Sequence, residues 1–267
     1  MLMLYRVVLV GILIVIAACQ KKEQFDGVKI IGHAGAGLSN STSPYHDNTK
    51  EAVEYAIALD GIDGVEIDIQ CSASETIWLF HDEQLDDETT GNGCVNSLSD
   101  LDLSTIHYTG FGQKSLIRLS DLQFPFLKKE LFLDVRSSNL CTQESIDQQQ
   151  MIQAIEQALP SNDGIVVKVI TNRADWVHAF YLKGWMVYLN LAQTADYLNT
   201  AVINETVGLC IRNAEISHDE VKSVQEIGKE VIIFEVRSPK GIRKAFKKYP
   251  NYLMTDNLKA TLIEKYP

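Results

Sequence analysis

Apolar, β-rich runs alternate along the chain with stretches whose apolar residues recur every three or four positions. The runs are Val28–His33, Val65–Cys71, Ile77–His81, Leu131–Val135, Ile165–Ile170, Met186–Leu191, Val207–Ile211, Val231–Val236 and Tyr252–Thr255. Between them lie helical patterns. Asn48 opens the first, with Glu51 three residues later as a capping-box signal. Ala52, Val53, Ala56, Ile57 and Leu59 form its apolar face, and Gly61 stops it. Met151, Ile152 and Ile155 mark a second, and Trp176, Val177 and Phe180 a third that closes at Gly184. Ser217 with Glu220 caps a fourth, and Ile242, Ala245 and Phe246 mark a fifth. Repeated strand–helix units predict a mainly parallel sheet. Nine strands are one too many for an eight-stranded barrel. Parallel neighbours need a crossover of about a dozen residues, and only Ser72 to Thr76 separates Cys71 from Ile77. Ile77–His81 must therefore return antiparallel. The prediction is an α/β fold, a (β/α)8 TIM barrel with a short antiparallel hairpin inserted after the second strand. An open doubly wound sheet is the alternative. No G-x-G-x-x-G opens a helix after the first strand, so a dinucleotide site is not indicated.

The first residues follow another logic. Arg6 precedes an apolar run from Val7 to Ala18, interrupted only by Gly11. Its length suits the apolar core of a signal peptide better than a membrane span. It ends Val15-Ile16-Ala17-Ala18-Cys19, which resembles the lipobox of bacterial lipoproteins. That resemblance implies cleavage before Cys19 and lipidation of its thiol. The polar run Gln20-Lys21-Lys22-Glu23-Gln24 reads as a tether. The expected organisation is a signal peptide over 1–18, a tether over 19–27 and one barrel domain over 28–267. Such a protein would be exported and anchored to a membrane, in the periplasm or on the cell surface.

Composition is that of a globular protein, with 46% hydrophobic and 22% charged residues. The net charge of −11 argues against a nucleic-acid partner. Lys240, Arg243, Lys244, Lys247 and Lys248 read as one solvated helix face. Apart from Cys19 there are Cys71, Cys94, Cys141 and Cys210. Their spacing matches no zinc site, and an exported protein could pair them. Cys71 with Cys94 is the preferred pair, with buried free thiols as the alternative.

In a barrel, chemistry sits at the C-terminal ends of the strands. His33 closes the first strand. Glu66 and Asp68 share one face of the second, and Val65, Ile67 and Ile69 take the other. His81 ends the hairpin strand. Asp134 and Arg136 share a face at the end of the Leu131–Val135 strand. Two carboxylates facing a closed interior would repel and be desolvated, and so need a cation. Glu66, Asp68 and Asp134 make an oxygen-rich site suited to Mg²⁺ or Ca²⁺ rather than Zn²⁺. Two histidines at strand ends around them read as an acid/base pair.

These residues fall in a pattern. His33-Ala34-Gly35, Asp47-Asn48-Thr49, Glu66-Ile67-Asp68, and Phe80-His81-Asp82 with Thr89-Thr90-Gly91 resemble the glycerophosphodiester phosphodiesterase family. Leu133-Asp134-Val135-Arg136 and Thr255-Asp256 match its later motifs more weakly. The resemblance implies a (β/α)8 barrel that hydrolyses phosphodiesters. It implies Glu66, Asp68 and Asp134 as ligands of a divalent metal, and His33 and His81 as general acid and base. The attacking hydroxyl can come from the substrate's own glycerol in that family. The sequence also departs from the pattern. Ala34 replaces an arginine that holds phosphate, Asp47 replaces a glutamate, and Asp134 with Arg136 replaces glutamate with lysine. Arg136, Lys168 and Asp47 are the expected substrate-binding residues, and Arg136 can fork onto two phosphate oxygens. An aspartate at the third ligand position also occurs in the related sphingomyelinase D group. The substrate is therefore a small phosphodiester or, as the alternative, a lipid head group. A non-catalytic binding protein on a degenerate barrel is the third reading.

Overall fold

A computed structural model of the chain describes residues 25–39, 43–110, 112–122, 129–142, 146–159 and 166–266. The expected signal segment, the lipidation site Cys19 and most of the expected tether lie outside the described residues. Phe25 belongs to the domain rather than to the tether. It is buried in the core, and its ring stacks on Phe246 at 4.8 Å between centroids.

Among the described residues, nine strands form one sheet. They are β1 (Lys29–Gly32), β2 (Gly64–Cys71), β3 (Ile77–Leu79), β4 (Glu130–Val135), β5 (Lys168–Thr171), β6 (Met186–Asn190), β7 (Gly208–Arg212), β8 (Glu230–Val236) and β9 (Tyr252–Thr255). Every neighbour pair is parallel except β2 with β3, and pairing of β1 with β2 and with β9 closes the barrel. β3 returns against the upper half of β2, with Ile69 opposite Leu79. It stops two residues short of His81, which sits in the loop beyond.

Helices cover the outside of the barrel, among them α1 (Lys50–Ala58), then a short α2 (Asp100–Leu103) in the insert, and α3 (Gln148–Ala158). The first does not begin as the sequence suggests. Thr49, not Asn48, caps α1 by accepting the Ala52 amide, because the Asn48 side chain is committed to Asp68. Ser217 and Glu220 do form a reciprocal capping box at the start of the helix His218–Glu226.

β2 shows how the sequence sets the layers. Val65, Ile67 and Ile69 join the large apolar cluster between the sheet and its helices. Alternation then turns Glu66, Asp68 and Gln70 toward the barrel interior. Burying an Ile or Val side chain contributes about 1.5–3 kcal/mol. This outer face offsets the several kcal/mol that each buried carboxylate costs. Around and below the carboxylates the interior is mostly apolar, with Ile31, Phe132, Ile170, Tyr188, Ile232 and Met254 packed together.

The hairpin leads into an insert with its own small core of Trp78, Phe80, Leu85, Val95, Leu103 and Tyr108. Asp100 organises it, accepting hydrogen bonds from Ser72 Oγ (2.8 Å), Thr76 Oγ1 (2.7 Å) and Trp78 Nε1 (2.9 Å). A disulfide links Cys94 of this insert to Cys141, beyond β4. The expected Cys71–Cys94 pair does not form. Cys71 lies on β2, buried and free like Cys210.

Candidate active site

The C-terminal mouth of the barrel opens into a cavity of about 640 Å³, lined among others by His33, His81, Asp134, Arg136, Asn190 and Phe234. The carboxylates of Glu66, Asp68 and Asp134 converge beneath it, with one oxygen of each within 4.8 Å of the others. Strand register forces this. Asp68 pairs directly with Asp134 across β2 and β4, so both side chains point inward side by side, a destabilising arrangement for like charges.

The electrostatics show the strain. Burial raises the Glu66 pKa well above the usual carboxylate range, and the Asp68 charge adds to it. Burial also raises Asp134, to about 6, against the pull of the Arg136 guanidinium. Glu66 Oε2 accepts the Ala34 amide at 2.8 Å, while its Oε1 is buried without a hydrogen-bond partner among the described residues. An orphaned buried carboxylate oxygen among two further carboxylates calls for a cation. The all-oxygen donor set fits Mg²⁺ or Ca²⁺.

Asn48 clamps Asp68 from two sides. Its Nδ2 donates to Asp68 Oδ2 at 2.9 Å, and its Oδ1 accepts the Asp68 amide at 3.0 Å. Gln70, next along the inward face of β2, donates to the carbonyls of Phe80 (3.0 Å) and Asp82 (2.7 Å), and so fixes the segment carrying His81.

The two histidines differ in their partners. His33 Nδ1 lies 2.7 Å from Asp256 Oδ1, and its Nε2 lies 3.8 Å from Glu66. Burial alone would lower its pKa, but the Asp256 hydrogen bond and the Glu66 charge outweigh that and lift it to about 9. The Asp256 hydrogen bond therefore favours the protonated ring. His81 Nδ1 lies 2.6 Å from Asp82 Oδ1, and Arg136 Nη2 lies 2.9 Å from its Nε2. A guanidinium can only donate, so His81 Nε2 must be unprotonated. Burial lowers the His81 pKa, yet Asp82 and Asp68 raise it overall, which makes the neutral ring a stronger base.

Arg136 reaches the site as expected, with Nη1 3.4 Å from Asp134 and Nε donating to the His81 carbonyl at 3.1 Å. Asp47 does not line the cavity. It accepts the Ser39 amide at 2.8 Å and lies 3.3 Å from His46 Nδ1. Lys168 lies at the wrong end of the barrel. It is the first residue of β5, two positions below the Asp134 level, where it binds Glu130 and the Tyr252 hydroxyl (2.9 Å). A charge within an apolar strand marks an inward-facing group, but the periodicity is the same at both ends.

The residue assignments missed Asp256, Asn48 and Gln70. Gln70 continues the Glu66, Asp68 alternation, and Asn48 and Asp256 stand inside the quoted motifs. Only the contacts show what they do.

The geometry can be set beside known proteins. The family model described as the glycerophosphoryl diester phosphodiesterase family matches residues 33–260. No curated protein matches the sequence. Solved structures do resemble the fold. A protein of Agrobacterium tumefaciens assigned as a glycerophosphoryl diester phosphodiesterase superposes with a TM-score of 0.75 at 14% identity, covering 89% of this chain and 97% of that one. A phosphodiesterase of Oleispira antarctica, in complex with the product sn-glycerol-3-phosphate, gives 0.74 at 16% identity over 88% and 96%. A glycerophosphodiester phosphodiesterase of Parabacteroides distasonis gives 0.69 at 16% over 89% and 97%.

Proposed function

The chain belongs to the glycerophosphoryl diester phosphodiesterase family, and from that premise we propose that it hydrolyses glycerophosphodiesters with a divalent metal and a histidine pair. One observation carries the reading. Two buried carboxylates, one with an orphaned oxygen, and a half-buried third converge between two imidazoles at the barrel mouth. The product-bound Oleispira structure supports a phosphodiester of glycerol as substrate.

Glu66, Asp68 and Asp134 would hold the metal, which when bound polarises a phosphoryl oxygen and offsets the charge of the transition state. Arg136 would grip the phosphate in place of the arginine absent at Ala34. His81, neutral at Nε2, would take the proton of the attacking hydroxyl, whether from water or from the substrate's glycerol. His33, cationic and oriented by Asp256, would give its proton to the leaving alkoxide.

The test uses two substrates, glycerophosphocholine and bis-p-nitrophenyl phosphate, with Mg²⁺ or Ca²⁺. Nitrophenolate leaves without a proton. His33→Ala should therefore lose about 10²–10⁴-fold on glycerophosphocholine and far less on the nitrophenyl ester, whereas His81→Ala should lose heavily on both. Failure of the wild type to turn over either substrate would sink the proposal, and equal losses for both variants on both substrates would remove the role assignment.

The proposal includes a lipid anchor at Cys19. Cys19→Ser should move the protein from the membrane to the soluble fraction of the producing cells. An unchanged membrane fraction would count against the anchor.

A further inference from the structure

The catalytic scheme leaves one set of metal-ligating side chains unused. His46 and Asp47 lie in the loop between β1 and α1, and Glu88 lies in the insert beyond β3. His46 Nδ1 is 3.1 Å from the Asp47 carbonyl oxygen and 3.3 Å from Asp47 Oδ1. The Asp47 carbonyl takes the Nδ1 proton, which leaves the Asp47 carboxylate as a donor, and Nε2 is the ring atom nearer Glu88. A backbone carbonyl fixing one ring nitrogen is the usual support of a histidine that binds metal through the other. His46 Nε2 lies 3.9 Å from Glu88 Oε2. That is too long for a hydrogen bond, but donors about 2.1 Å from a shared ion stand roughly 3–4 Å apart. One donor atom from each of the three residues falls within 4.8 Å of the others.

A second observation points to the same spot. Tyr108 is fully buried, and its hydroxyl has no hydrogen-bond partner among the described residues. Its ring stacks on the His46 ring at 3.7 Å between centroids. Asp47 and then Glu88 are the charges that weigh most on that hydroxyl. A buried hydroxyl without a partner costs about 1–3 kcal/mol, and an ion held beside it with its ligands would supply one.

We propose that His46, Asp47 and Glu88, with the Tyr108 hydroxyl beside them, form a second divalent-cation site separate from the Glu66–Asp68–Asp134 centre. Its donor set differs from that centre. One imidazole with two carboxylates suits Mn²⁺ or Zn²⁺, whereas three carboxylates suit Mg²⁺ or Ca²⁺. An ion here ties the β1–α1 loop to the insert. The next residue of that loop is Asn48, which clamps Asp68, and the insert follows directly on His81. The site therefore braces both approaches to the catalytic centre with ligands of its own.

Mn²⁺ binding to the full chain, followed by electron paramagnetic resonance, tests this. Wild type should bind two Mn²⁺ per chain. His46→Ala and Glu88→Gln should each bind one, and Glu66→Gln with Asp134→Asn should retain the His46 ion. Glu88 is partly exposed, so Glu88→Gln decides the matter if His46→Ala does not fold. Crystals soaked in Mn²⁺ should give a second anomalous peak about 2.1 Å from a His46 ring nitrogen. Equal Mn²⁺ stoichiometry in wild type and Glu88→Gln, or an anomalous peak at the Glu66 centre alone, would overturn the site. The cluster would then be a plain ion triad around a protonated His46.

Discussion

Asp68 and Asp134 stand opposite each other on neighbouring strands, and neither can turn away without leaving the barrel interior. Burial, with the Asp68 charge alongside, pushes the Asp134 carboxyl upward. Its pKa rises from 3.8 to about 6. A carboxylate raised in the folded state favours folding below its ordinary pKa, and that contribution is lost as pH rises through about 6. Without metal, the protein should therefore lose stability from this group between about pH 4 and 6. Protons and metal compete for the same oxygens, so the sign reverses for binding. The thermal stabilisation given by Mg²⁺ or Ca²⁺ should be large at pH 8 and small at pH 5. Calorimetry across this range checks it, and an equal increment at both pH values would mean that Asp134 is not a ligand.

Strands carry different chemistry at their two ends, and β5 makes the point. Its upper end meets the Asp134 level, and its lower end places Lys168 against Glu130, Tyr252 and the Phe132 ring (4.9 Å to the centroid). Lys168 is a buried cation that closes the bottom of the barrel. Lys168→Ala leaves Glu130 with Lys29 at 2.5 Å as its remaining cation. The expected cost is about 3 kcal/mol of stability, read from urea unfolding, with kcat/KM of the folded fraction unchanged. A large loss of activity at unchanged stability would return Lys168 to the substrate site.

At the scale of the molecule, the insert is the part most separate from the barrel. It has its own apolar core and a covalent staple, since Cys94–Cys141 bridges 47 residues of sequence. Closing a loop of that size typically contributes 2–4 kcal/mol. Reduction with dithiothreitol should lower the unfolding free energy by about that much, and Cys94→Ser should match the reduced protein. Cys71→Ser should not, because Cys71 is a free buried thiol on β2. An unchanged urea midpoint on reduction would show that the insert is held by packing alone.

The strand–helix alternation, the barrel and the antiparallel return of β3 were all legible, because side-chain periodicity and crossover length are properties of the chain itself. So was the inward face of Glu66 and Asp68, since alternation with Val65, Ile67 and Ile69 leaves no other. Tertiary structure alone decided the rest. Periodicity is blind to height along a strand, so it could not place Lys168 at the bottom and Asp134 at the top. Turn chemistry made Asn48 look like a helix cap, and only the fold brings its amide to Asp68. Spacing made Cys71–Cys94 plausible, whereas three-dimensional proximity gave Cys94 to Cys141. The partners of His33 and His81, Asp256 and Arg136, come from other strand ends. Which imidazole holds a proton is set by those neighbours, and neighbours distant in sequence exist only once the barrel has closed.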